Sequence, residues 1–279
     1  MQNSGFFARL FNRTGHTLVP APNTPAAGET APPPIARGPE QPDAKVKTSD
    51  LRLPENTFLG EVPGRYAGEL PRYRAQGGLF DPNANSITYS HGDMVRFYFL
   101  SMVFDLTTRE NIPGDVVELG VWKGDTAVLL ATYARQSGRT AYLLDTYEGF
   151  DDRDLTEAEK HLSKSFSETS LEAVQQRVGT ENTSLIKGYF PDSAVQLPDG
   201  ISYAIVHIDA DLYAPIKAAL EYFYPRTAPG GFIVMHDYMS LCWEGAIAAI
   251  DEFFADKPEF IIPIPDLAGT VVVRKTLRA

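Results

Sequence analysis

The chain has 279 residues, 43% of them apolar, a formal net charge of −11 and a single cysteine, Cys242. That suffices for a normal core. No apolar run reaches the 18 or so residues of a membrane span, and one cysteine excludes a disulfide framework or a cysteine-rich metal site. Residues 1–49 hold five basic and three acidic side chains, so the remainder stands at −13, a surface that repels a phosphate backbone and argues against a nucleic-acid partner.

The N-terminus lacks a basic stretch followed by an apolar block and a small-residue cleavage site, so a cytoplasmic location is expected. Residues 14–49 are rich in Pro, Ala, Gly and Thr, with "APPP" at 31–34. Such a composition cannot bury enough area to offset its ordering entropy, and residues 1–49 are expected to be a disordered Pro/Ala-rich leader. Within it, "GFFARLFNR" (5–13) would gather Phe6, Phe7, Leu10 and Phe11 on one helical face, either a frayed terminus or a short docking helix. The domain proper is expected over 50–279, beginning with an N-terminal helical cap.

From about residue 112, strand-like and helix-like runs alternate. "DVVELG" (115–120) predicts a buried strand ending at glycine. "DTAVLLATYARQSG" (125–138) predicts a helix stopped by Gly138. "TAYLLDT" (140–146) is a second strand. "TSLEAVQQRVG" (169–179) predicts a helix with Thr169 and Glu172 as a capping box and Gly179 as its stop. "TSLIKGYF" (183–190) and "YAIVHIDA" (203–210) are strands, and "APIKAALEYFY" (214–224) is a helix entered at Pro215 and halted by Pro225. "GGFIVMHD" (230–237) is a fifth strand. Trp243, Ile247, Ile250 and Phe254 then share a helical face. "EFIIPIPD" (259–266) and "GTVVVRK" (269–275) read as an antiparallel pair.

Alternating strands and helices imply parallel βαβ units, hence an open α/β sheet with helices on both faces and, after the last two strands, an antiparallel C-terminal edge. In such sheets ligands bind beyond the carboxyl ends of the strands. That rule gathers Glu118–Gly120, Asp145, Asp209–Asp211 and His236–Asp237 in one crevice. His207, inside its strand, reads as a packed core histidine.

Gly120 and Gly124 lie between a strand and a helix, where glycine permits a tight turn and close backbone approach to a ligand. A dinucleotide fingerprint is not met, because Trp122 and Asp125 occupy positions that would need glycine. Glu118 and Asp125 flank the turn and favour a ligand with a cationic end. Asp145, about 25 residues on, can accept both hydroxyls of a ribose, which points to an adenosine-type ligand. Asp209 and Asp211, one residue apart, repel each other, so a metal ion, a proton or a bound cation must stabilise them.

Taken in order, "VELGVWKGDTAVLLA", "LLDTYEGF", "KGYFPDS", "HIDADLY" and "PGGFIVMHDY" resemble the TylF/MycF macrocin-type sugar O-methyltransferases, and more distantly the catechol and caffeoyl-CoA O-methyltransferases. The resemblance covers about residues 85–275. It implies a Rossmann-like class I S-adenosylmethionine (SAM) methyltransferase with a mostly parallel seven-stranded sheet. It further implies that Glu118 and the turn Gly120–Trp122–Gly124 hold the methionine part of SAM, with Thr126 near its carboxylate and Asp145 on the ribose. Asp209 becomes a ligand to a divalent metal, normally Mg²⁺, with the His236–Asp237 position completing the site, and Asp211 the general base. The implied acceptor is a small-molecule or glycan hydroxyl, with homo-oligomerisation left open.

The chain departs from that pattern at His236, where the family has an acidic or amide residue. Imidazole suits Mn²⁺, Zn²⁺ or Fe²⁺ better than Mg²⁺. His236 can therefore bind another metal, act as a catalytic base, weaken the metal site, or serve structurally. The segments 80–96 and 150–169 are candidate substrate walls, with Tyr89, His91 and Tyr147 as candidate contacts. Two other classes compete: a glycosyltransferase using Asp209-Ala210-Asp211 as its Asp-x-Asp motif, and a non-catalytic SAM-fold binding protein.

Overall fold

A computed structural model describes residues 94–240, 242–266 and 268–276, all within the unit Val62–Ala279. The leader, the 49/50 boundary, Tyr89 and His91 lie outside the described residues.

The first described element, α1 (Met94–Arg109), packs Phe97, Leu100, Val103 and Phe104 into the core. Then follow β1 (Asp115–Leu119), α2 (Asp125–Ser137), β2 (Ala141–Asp145), α3 (Leu171–Val178), β3 (Thr183–Lys187), β4 (Tyr203–Ile208), α4 (Tyr213–Phe223), β5 (Thr227–Met235), α5 (Glu244–Phe254), β6 (Ile262–Pro263) and β7 (Val271–Arg274). The seven-stranded sheet runs in the order β3-β2-β1-β4-β5-β7-β6. Its first five strands are parallel; β7 pairs antiparallel with both β5 and β6. The alternation of β with α thus produces the expected sheet, and β7 slots between β5 and β6 to make the antiparallel edge.

Each face of the sheet has its own core. Val116, Leu143, Ile205 and Val234 meet α1, α2 and α3 on one side. Val117, Leu144, Val206 and Ile233 meet α4 and α5 on the other. The period of two along each strand dictates this division, and the central strands are apolar on both faces because both are covered.

Local details differ from expectation in three places. The N-cap of α3 is Ser170, whose hydroxyl accepts from the Ala173 amide at 3.1 Å; Thr169 instead donates to the Trp122 carbonyl. β5 starts at Thr227, three residues early, because its pairing with β4 slips between Tyr203 and Ile205 and absorbs Pro229 and Gly230. β6 has only two residues: Pro263 and Pro265 lack the amide donors a longer ladder needs.

Candidate active site

The carboxyl ends of β2, β1, β4 and β5, four neighbours in the sheet, carry the polar groups read from the sequence. At the end of β1, Gly120 has φ +84°, and a side chain there would collide with the Asp209 carbonyl. Only glycine lets the β1 turn lie this close to the end of β4.

The turn 120–124 is held from three directions. Asp145 Oδ2, at the end of β2, accepts the amides of Val121 at 2.6 Å and Trp122 at 2.8 Å. Its Oδ1 accepts the Tyr147 amide at 2.7 Å. Thr169 donates to the Trp122 carbonyl, and Arg177 of α3 donates to the Lys123 carbonyl at 2.9 Å. Asp145 therefore first shapes the turn, a use that strand-end position alone did not reveal. Arg177 also pairs with Asp125, so the acidic wall expected from Asp125 is offset by a cation brought from α3. Thr126 is buried in the first turn of α2.

Glu118 sits on β1 directly beside His207 on β4. Both are fully buried, with His207 Nδ1 3.1 Å from Glu118 Oε1. Burial, then the Asp209 charge, pushes Glu118 well above the usual carboxylate range. Burial lowers His207 to about 3. His207 is therefore uncharged at neutral pH. Among the described residues, Glu118 Oε2 has no hydrogen-bond partner, a buried acceptor in want of a donor.

Beyond β4 and β5 lies a second cluster. Asp209, His236 and Asp237 each present a ligand atom, all within 4.8 Å of one another. His236 Nδ1 is 2.8 Å from Asp209 Oδ1 and 2.9 Å from Asp237 Oδ2. Arg96, from α1, reaches Asp209 Oδ2 at 3.4 Å. Burial opposes a charged imidazole, but Asp209 and Asp237 outweigh it and lift His236 to about 10. Asp209 is held far below its normal range: burial pushes it up, and His236 and Arg96 overcome that. The Asp211 carboxyl bonds to that of Asp237 and is raised well above its usual value by burial, then by the charges of Asp237 and Asp209. Burial likewise raises Asp237. The Asp209–Asp211 repulsion is thus offset here by two cations, His236 and Arg96, both set against Asp209. Arg96 carried no motif and lies 113 residues from its partner, so sequence reading missed it.

Trp122, Asp211 and Asp237 all have positive φ, at 45°, 57° and 63°. Non-glycine residues pay roughly 1–3 kcal/mol for strained backbone of this kind, and such residues cluster at functional sites. Tyr147, expected as a substrate contact, is instead buried, with its hydroxyl donated to the Leu143 carbonyl at 3.0 Å. It is a core residue.

The sheet order with its antiparallel edge and a glycine turn after β1 defines a class I SAM methyltransferase fold. The solved O-methyltransferase NovP aligns with a TM-score of 0.57 and 26% identity, over 66% of this chain and 80% of NovP. Residues 72–272 match the macrocin-O-methyltransferase (TylF) family, and the chain belongs to it. It is 28% identical to a tetracenomycin 4'-O-methyltransferase of Streptomyces olivaceus over 55% of this chain and 64% of the relative. It is 30% identical to mycinamicin III 3''-O-methyltransferase of Micromonospora griseorubida over 57% of this chain and 68% of the relative. The chain thus spans just under two thirds of the first relative. Among the described residues, no helix is long and apolar enough to cross a membrane.

Proposed function

We propose that the protein is a SAM-dependent O-methyltransferase acting on a hydroxyl, in the first instance of a sugar in a natural product or glycan. The observation that carries this reading is the meeting, on four adjacent strand ends, of a pinned glycine turn and a compact acid–imidazole cluster. Family membership supports the reaction class. The names of two relatives, one acting on a rhamnosyl tetracenomycin and one on mycinamicin III, support a glycosylated acceptor.

The donor set fits both expected groups. The unpartnered buried Glu118 Oε2 suits a cationic donor such as an ammonium, and a bound cation would draw Glu118 into its charged form. Two carboxylates and an imidazole within 4.8 Å suit a divalent ion, with Mn²⁺ or Zn²⁺ better matched to the nitrogen than Mg²⁺. Asp209, His236 and Asp237 would hold it. When bound, SAM supplies an electrophilic methyl group, and a divalent ion supplies Lewis acidity toward the acceptor hydroxyl.

The chain's own residues do the rest. Gly120 to Gly124 present backbone to the methionine part, with Thr126 behind them. Asp145, whose Oδ2 accepts two turn amides and whose Oδ1 accepts the Tyr147 amide, keeps one lone pair on Oδ1 for a ribose hydroxyl. Asp211 receives the acceptor's proton, and its raised pKa brings it closer to working pH, where a general base is most effective. Holding the hydroxyl in line with the methyl supplies much of the remaining rate.

Incubation with methyl-labelled SAM and a panel of deoxysugar glycosides tests the reading. Label recovered as a methyl ether supports it. No transfer to any glycoside, together with binding of a UDP-sugar, would replace it with the Asp-x-Asp glycosyltransferase reading.

A further inference from the structure

Four aromatic rings from three separate segments meet beside the strand ends. Trp122 comes from the turn after β1, Phe150 and Phe166 from the ends of the polar excursion after β2, and Trp243 from the residue just before α5. Trp122 packs edge-on to Phe166 at 5.5 Å; Phe166 meets Phe150 at 5.1 Å and Trp243 at 6.2 Å; Phe150 meets Trp243 at 5.7 Å.

Their place in the sheet gives this cluster its meaning. Trp122 follows β1 and Trp243 follows β5, and β4 runs between those strands. The rings therefore bridge the strand that ends in Asp209 and Asp211. The intervening excursion is strongly polar, with two short 3₁₀ turns at Asp152–Asp154 and Lys160–Leu162. It nevertheless packs both of its phenylalanines against Trp243, and Phe166 against Trp122 as well. Phe166 adopts φ +62° to do so, a conformation a bulky residue rarely takes. All four rings remain half-buried, unlike the fully enclosed aromatics of the two cores.

We infer that Trp122, Phe150, Phe166 and Trp243 form an acceptor subsite, an aromatic wall that takes the apolar aglycone of a glycoside while its sugar lies over Asp209–Asp211. This rests on the methyltransferase reading and deepens it. A single ring is enough to cover the C–H face of one sugar; four rings supply apolar surface for a larger ring system attached to it. Aromatic groups favour such edge-to-face and offset contacts, and apolar area removed from water supplies the affinity.

The test uses the full chain loaded with S-adenosylhomocysteine, titrated with 4-nitrophenyl α-L-rhamnopyranoside and with methyl α-L-rhamnopyranoside. The two probes share a sugar and differ only in the aglycone. The wild-type protein is expected to bind the aryl glycoside at least roughly tenfold more tightly. Phe166→Ala and Trp243→Ala should bring that ratio to within about twofold while affinity for S-adenosylhomocysteine stays unchanged. Phe166→Leu and Trp243→Leu, milder in packing, should give intermediate ratios, so a poorly folding alanine variant does not end the test. Equal or absent binding of the two probes by the wild type, or an aryl preference that survives at both positions, overturns the subsite alone if S-adenosylhomocysteine still binds. Failure of the wild type to bind S-adenosylhomocysteine overturns the methyltransferase reading as well.

Discussion

His236 Nδ1 lies 2.8 Å from Asp209 Oδ1, so the imidazole occupies ground that a divalent ion would share. Asp209 and Asp237 overcome the burial penalty and keep the ring protonated up to about pH 10. The metal-free cluster thus carries its own cation.

Metal binding must then displace a proton, because a protonated ring nitrogen cannot coordinate. Affinity for Mn²⁺ or Zn²⁺, measured by calorimetry in buffers of different ionisation enthalpy, should rise between pH 6.5 and 10 with about one proton released. His236→Asp should flatten that dependence and shift preference toward Mg²⁺. Wild-type affinity independent of pH would contradict the assignment.

The same pair sets a stability trend. The folded-state pKa of His236 is raised above its ordinary 6.5, so its contribution is fully present below that value and is lost as pH rises through about 10. Thermal denaturation of the metal-free protein should show wild type losing more stability across that window than His236→Gln, by roughly 1–3 kcal/mol. Parallel curves for the two proteins would contradict it.

Asp211→Asn should leave SAM affinity unchanged and lower kcat by roughly 10²- to 10⁴-fold, the usual loss for a general base. Because burial, Asp237 and Asp209 raise Asp211, wild-type activity should fall as pH is lowered through that raised value. Normal turnover by Asp211→Asn would remove Asp211 from the mechanism.

Asp145→Asn replaces one of two accepting oxygens with a donor, while the carboxylate now accepts three backbone amides at 2.6 to 2.8 Å. Urea denaturation should show a loss of roughly 1–3 kcal/mol, and SAM affinity should weaken at least about tenfold as the turn loosens. A variant with native stability would show that the turn is held elsewhere.

Most of the parallel sheet was legible in the sequence, because buried strands such as "VVEL" and "AIVHI" leave apolar runs and glycine or proline marks their ends. The strand-end groups were legible for the same reason: open α/β sheets place function there. What escaped was contact between distant segments. Nothing in the chain near Arg96 announces Asp209, and nothing near Arg177 announces Asp125. Tyr147 reads as a loop tyrosine, yet a left-handed backbone at φ 55° turns it into the core. Thr169 and Ser170 are adjacent candidate caps, and only the Trp122 carbonyl, supplied by another element, decides between them. The aromatic wall likewise joins residues up to 121 positions apart, from Trp122 to Trp243, with no local period to mark it.

Calorimetric titration with S-adenosylhomocysteine measures most directly whether the β1 turn and its neighbouring acids form a sulfonium-cofactor cleft. One site per chain is expected, with affinity in the micromolar range, about −8 kcal/mol, and Glu118→Gln should weaken it at least about tenfold. No binding heat, or full affinity retained in Glu118→Gln and Asp145→Asn alike, would contradict the placement of the cofactor at these strand ends.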